Sequence, residues 1–194
     1  MDSLAERLAS IRAEQDQNRK NLRVAEIVSE LFRAAGTAPV IVGGSAVEFY
    51  TDGAYVSADV DVCFSGARLP TPRERESVLA EAGTSLGLRT WQIADVVVDL
   101  LGVIETSAQT PFQNLGTLTL IQIEDLIAER ILVATTPRFD SERWRVAKVL
   151  FAVALQRLVA FDPVELERIA NSPDYRVGPD LQRLRREIEA QPSK

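Results

Sequence analysis

Asp59 and Asp61 stand one residue apart in Ser57-Ala58-Asp59-Val60-Asp61-Val62. On a β-strand, residues i and i+2 project from one face, so the two carboxylates would point together while Val60 and Val62 face a core. Two adjacent anions repel unless a cation lies between them. Oxygen donors alone favour a hard divalent ion, Mg2+ or Mn2+. Upstream, the β-type run Val40-Ile41-Val42 leads into Gly43-Gly44-Ser45. Glycines there let a backbone approach a phosphate closely, and a helix that follows offers free N–H groups. Ser45 would add a hydroxyl to the β- or γ-phosphate. A metal pair and a phosphate grip on neighbouring strands make a site for a nucleoside triphosphate. Asp99 is a third acid, the lone charge inside Val96-Val97-Val98-Asp99-Leu100-Leu101. A buried carboxylate needs a partner, and a shared ion beside Asp59 and Asp61 would be one. Asp95 is the rival for that role, but it falls next to a hairpin turn.

The order Gly-Gly, spacer, Asp-apolar-Asp-apolar resembles the signature of the DNA polymerase β-like nucleotidyltransferase superfamily. GGSAVEFYTDGAYVSADVDV is similar to a minimal bacterial branch that includes the AbiEii-like toxins and related domains. Gly43, Gly44, Tyr50, Gly53 and Ser57 match residues that recur there, as does Glu124-Asp125-Leu126-Ile127 on a later helix. The resemblance spans roughly residues 24 to 160 and implies an α+β fold, a mixed β-sheet flanked by helices. It also implies N-terminal helices and an α-helical C-terminal part. Asp59, Asp61 and Asp99 would then be catalytic and hold Mg2+ (or Mn2+), Asp99 also acting as base on an attacking hydroxyl. Family members neutralise the triphosphate with Lys or Arg from helices after the sheet. Arg130 and Lys148 match that description and join Gly43, Gly44 and Ser45 as nucleotide-binding candidates.

The implied activity is transfer of NMP from an NTP to an acceptor hydroxyl, as in the toxin component of a toxin–antitoxin system. The acceptor would be RNA or protein, with a cognate antitoxin as protein partner. Two alternatives stand beside it: a small-molecule nucleotidyltransferase of the aminoglycoside type, and a non-catalytic relative that binds nucleotide or a partner protein.

The elements that must hold these residues can be read in turn. Leu4, Leu8 and Ile11 share one face of a first helix, and Val24, Ile27, Val28, Leu31 and Phe32 mark a second that Gly36 ends. Pro39 opens the first strand. Ala46 to Tyr50 reads as a short helix and Ala54 to Phe64 as the strand bearing Asp59 and Asp61. Thr71-Pro72-Arg73-Glu74 carries a capping residue, a first-turn proline and an N3 glutamate, which starts a helix. Arg89–Ile93 and Val96–Leu101 form a hairpin around Ala94-Asp95, and Thr117–Ile121 is a further strand. From Ile123 onward the pattern is helical: Glu124–Thr135, Asp140–Leu158, a helix opened by Asp162-Pro163, and Asp180–Glu189. Residues 192–194 should fray. The expected organisation is N-terminal helices over 1–36, an α/β core over 37–122 and a helical part over 123–194.

Composition narrows the chemistry. The 194 residues contain no histidine, which removes histidine bases and most zinc sites. Cys63 is the single cysteine, compatible with a reducing cytoplasm, and reads as a small core residue. No apolar run is long enough to cross a membrane, and the first residues lack a signal peptide's apolar centre. The expected location is therefore cytoplasmic. A net charge of −6 argues against general nucleic-acid binding. The concentrated basic segment is Arg183, Arg185 and Arg186, read first as a solvated face. Tyr50, Trp91 and Trp144 are aromatic candidates for stacking, and core packing is the better reading for each. Lysine occurs three times, as Lys20, Lys148 and Lys194. Lys148 lies among apolar residues and so needs an anionic partner, expected among the three aspartates, or a stem that reaches water.

Overall fold

The structure is a computed structural model that describes residues 2–66, 68–156 and 159–190. The readings made for residues 157, 158 and 192–194 lie outside it. In chain order the elements are α1 (Leu4–Ala13), α2 (Gln17–Ala34), β1 (Ala38–Ile41), α3 (Gly43–Tyr50), β2 (Asp59–Ser65), α4 (Pro72–Leu79), β3 (Thr84–Ser85), β4 (Thr90–Ile93) and β5 (Val96–Val103). Then follow β6 (Gln113–Leu115), β7 (Leu118–Leu120), α5 (Ile123–Thr135), α6 (Ser141–Leu155), α7 (Pro163–Ala170) and α8 (Gly178–Glu189). Among the described residues the strands form one mixed sheet in the order β3-β4-β5-β2-β1-β7-β6. β1 runs antiparallel to β2 and parallel to β7, while β2 and β5 are parallel neighbours. This is the α+β architecture expected, a mixed sheet with flanking helices.

The chain separates into two compact units. One is Met1–Glu105 with Asn114–Leu120, and the other is Thr106–Gln113 with Ile121–Lys194.

In the first unit, Ser3 and Thr71 close capping boxes with Glu6 and Glu74 at the heads of α1 and α4. Each side-chain oxygen satisfies a backbone N–H that the helix leaves free. Val24, Val28 and Phe32 recur at helical spacing and give α2 its buried face. Phe32 meets Phe64 of β2 edge to face, with ring centroids 4.9 Å apart. Burying a side chain of that size contributes about 1.5–3 kcal/mol. Val60, Val62, Val98 and Leu100 are buried too, so alternation turns Asp59, Asp61 and Asp99 away from that core. Ala94 and Asp95 take φ of +46° and +69°, the conformation of a tight two-residue hairpin between β4 and β5.

In the second unit, α5 to α8 bury Leu126, Ile131, Leu150, Phe151, Leu166, Ile169, Leu181 and Leu184. Asp140 and Asp162 cap α6 and α7 through their carboxylates. Glu124, Asp125 and Glu165 are buried acids whose task is visible here. Glu124 accepts from the Thr110 hydroxyl at 3.2 Å and from the Asp162 N–H at 2.7 Å. Asp125 accepts from the Thr106 hydroxyl, the Ala108 N–H and the Tyr175 hydroxyl. Glu165 accepts from the Gln109 N–H and from Arg168. Together they hold residues 106–110 in place of regular structure.

Some expectations change in detail, among them the end of β5 at Val103 and the start of α8 at Gly178. The strand bearing the aspartates begins at Asp59, not Ala54: the chain before it is bent, with the side chains of Tyr55 and Ser57 against Gly44 of α3. The Gly43-Gly44 pair lies within the first turn of α3 instead of preceding it. β3 and β6, of two and three residues, are additional strands.

Candidate active site

Register sets the geometry. Asp61 on β2 is paired with Asp99 on β5, and Asp59 is paired with Val97 two positions away. In a parallel pair, partners in register project from the same face. Carboxylate oxygens of Asp59, Asp61 and Asp99 accordingly lie within 4.8 Å of one another, each residue half-buried. Asp99 Oδ1 is buried and has no hydrogen-bond partner. Among the described residues, neither Asp59 nor Asp99 forms an ion pair with Lys or Arg. An orphaned carboxylate oxygen beside two further acids is a costly arrangement that a divalent cation relieves. The donors are all oxygen, so the residues fit a hard ion such as Mg2+ or Mn2+. Asp95, the rival third acid, is exposed in the hairpin turn.

The turn after β1 packs directly on this group. Gly43 has φ of +60°, and a Cβ there would fall 2.4 Å from Asp61 Oδ2. Only glycine meets both conditions without displacement. Gly44 lies under two hydroxyls: a Cβ would come 2.6 Å from Ser57 Oγ and 3.3 Å from Tyr55 Oη. Val42, the residue at the N-cap of α3, makes no side-chain capping bond. Ser45 is fully buried, and its hydroxyl accepts the Asp61 N–H at 2.8 Å while donating to the Val42 carbonyl at 3.3 Å. Its donor is therefore used to tie α3 to β2, and its visible task is to place Asp61.

No protein-family profile matches the sequence, and no characterised protein matches it by sequence alone. Solved structures do match in shape. One is the crystal structure of an antigenic nucleotidyltransferase-like protein from Paracoccidioides brasiliensis. It has 17% identity, covering 91% of this chain and 94% of that one, with a TM-score of 0.54. Another is the solution structure of the antibiotic-resistance factor ANT(2'')-Ia, with 13% identity over 89% of this chain and all of that one, TM-score 0.56. The crystal structure of ANT(2'')-Ia with adenylyl-2''-tobramycin matches with a TM-score of 0.52. The fold is that of the nucleotidyltransferases.

Arg130 and Lys148 belong to the second unit, on α5 and α6. Arg130 pairs with Glu129, and its Nε is buried without a partner. The Lys148 ammonium pairs with Glu187 of α8 at 3.2 Å, an anion other than the expected aspartates. Glu187 also accepts from Trp144 Nε1 at 3.0 Å and from Arg183 at 2.9 Å. Arg183 stacks over Trp144 and Phe139, each 4.8 Å from the ring centre. Tyr50, Trp91 and Trp144 are buried, as core residues would be.

Sequence reasoning missed Glu48 and Asn21, both fully buried behind Ser57. The available signal was an acid set among Ala46, Val47, Phe49 and Tyr50.

Proposed function

We propose that this chain is a metal-dependent nucleotidyltransferase that moves NMP from an NTP to an acceptor hydroxyl and releases pyrophosphate. The observation that carries the reading is the cluster of Asp59, Asp61 and Asp99, with one Asp99 oxygen buried and unsatisfied beside the other carboxylates. Bound there, divalent cations would neutralise the triphosphate and activate the attacking oxygen. Asp59, Asp61 and Asp99 hold that charge, and Asp99 takes the proton of the acceptor hydroxyl. The N–H groups of the Gly43-Gly44-Ser45 turn receive phosphate oxygens. Arg130 and Lys148 are the proposed second clamp on the triphosphate.

The resemblance of the Gly-Gly and Asp-x-Asp stretch to AbiEii-like toxins supports RNA or protein as acceptor and an antitoxin as partner. A small-molecule hydroxyl is the second reading. It is supported by the likeness in fold to ANT(2'')-Ia and by a net charge of −6, which suits a cationic acceptor better than a polyanion.

The test is incubation with Mg2+ or Mn2+, each labelled NTP, and in turn total RNA, a protein lysate and aminoglycosides. Label should appear in one acceptor class with wild-type protein and in none with Asp61→Asn. Equal labelling by both proteins would reject the site.

A further inference from the structure

Residues 51–58 carry the chain from α3 to Asp59. Ala54, Val56 and Ala58 are exposed, and no regular element spans the segment. Ser57 is buried, and its backbone is gripped at both ends. Its N–H donates to Glu48 Oε2 at 2.9 Å, and its carbonyl accepts from Asn21 Nδ2 at 3.1 Å. Asn21 Nδ2 also donates to Glu48 at 3.0 and 3.3 Å, and Gln17 donates to Asn21 Oδ1 at 2.7 Å. Glu48 and Asn21 come from α3 and α2 and have no exposed surface. Burial pushes the Glu48 carboxyl above its ordinary range, against the hydrogen bonds from Asn21 and Ser57 that pull it down. An apolar residue would fill that core position more cheaply, so the acid has a task that packing does not explain. The task is visible one atom further on: Ser57 Oγ donates to Asp59 Oδ1 at 3.2 Å and sits against Gly44.

We infer that Glu48 is a positioning residue that acts through Ser57 to set Asp59 for metal binding, with Asn21 as its co-anchor. This rests on the reading of Asp59, Asp61 and Asp99 as a metal site. Outer hydrogen bonds of this kind orient a ligating carboxylate, and their loss typically lowers metal affinity about 10- to 100-fold. In Glu48→Gln the amide nitrogen meets the Asn21 donor, so the grip on Ser57 loosens while side-chain volume is kept. In Ser57→Ala the backbone grip remains and the hydroxyl link to Asp59 is cut.

Mn2+ titration of the full chain, with thermal unfolding in EDTA alongside, tests the inference. Glu48→Gln and Ser57→Ala should each weaken Mn2+ binding about tenfold or more. The double variant should bind no worse than the weaker single one, because both substitutions break one chain of contacts. Wild-type Mn2+ affinity in Ser57→Ala would overturn the inference, whatever the fate of Glu48→Gln in folding. So would a Glu48→Gln protein that unfolds at lower temperature yet binds Mn2+ like wild type, or losses that add. A wild-type protein that takes no Mn2+ would instead remove the metal-site reading, and this inference with it.

Discussion

At the scale of single residues, the site is a set of close approaches that leave little freedom. Gly43 combines a left-handed φ with a side-chain oxygen of Asp61 where a Cβ would go. Gly43→Ala should therefore cost about 1–3 kcal/mol in denaturant unfolding and also displace Asp61. Unchanged stability and unchanged metal affinity in that variant would contradict this packing. Asp99 behaves oppositely. Its buried, unpartnered oxygen beside two other acids works against the metal-free fold. Asp99→Asn should unfold in EDTA at a temperature no lower than wild type, yet lose the stabilisation that Mn2+ gives wild type. A lower unfolding temperature in EDTA would assign Asp99 a structural bond that the site does not show. Asp59 and Asp61 were legible from spacing alone, and Asp99 from being a lone charge in an apolar run. Glu48 and Asn21 were not. A buried polar pair between two helices carries no periodic mark, and its reason appears only when Ser57 lies between the two.

At the scale of elements, amphipathic helices and capped starts were readable because the information is local. Thr71-Pro72-Arg73-Glu74 marks α4 within four residues, and Asp162-Pro163 does the same for α7. β3 and β6 are too short to show alternation. Tyr55 and Val56 have strand composition, yet β2 starts only at Asp59, because tertiary hydrogen bonds to Ser57 decide their path. The Glu-Asp pair of α5 also acquires its reason here, since Glu124 and Asp125 with Glu165 of α7 hold residues 106–110. Arg168, then the Gln109 N–H, lowers Glu165 from 4.5 to about 2. A depressed carboxyl binds fewer protons folded than unfolded, so its stabilisation is complete above about pH 4.5 and lost as pH falls toward 2. Urea unfolding between pH 5 and pH 2.5 should show wild-type stability dropping more steeply than that of Glu165→Gln. Parallel curves would remove this contact from the acid response.

At the scale of the molecule, a fold shared with nucleotidyltransferases supplies a scaffold, and the aspartates supply the reason to expect chemistry on it. The toxin-type and aminoglycoside-type readings differ in how the acceptor meets an acidic protein. An RNA acceptor requires a local basic surface, and its binding should weaken steeply between 50 and 200 mM salt. Label transfer that is insensitive to salt and confined to a small molecule would reject RNA. Lys148→Met should weaken NTP binding more than it lowers stability, because Glu187 keeps Arg183 and Trp144 as donors. Normal NTP affinity in that variant would dissolve the proposed clamp. Both arms depend on catalysis at the aspartates, which one comparison addresses: metal-dependent pyrophosphate release by wild type and by Asp61→Asn, with circular dichroism confirming that both are folded. Catalysis at the aspartates predicts release by wild type in Mg2+ or Mn2+, none in EDTA, and none from Asp61→Asn under any condition. Pyrophosphate release by folded Asp61→Asn at the wild-type rate would contradict it.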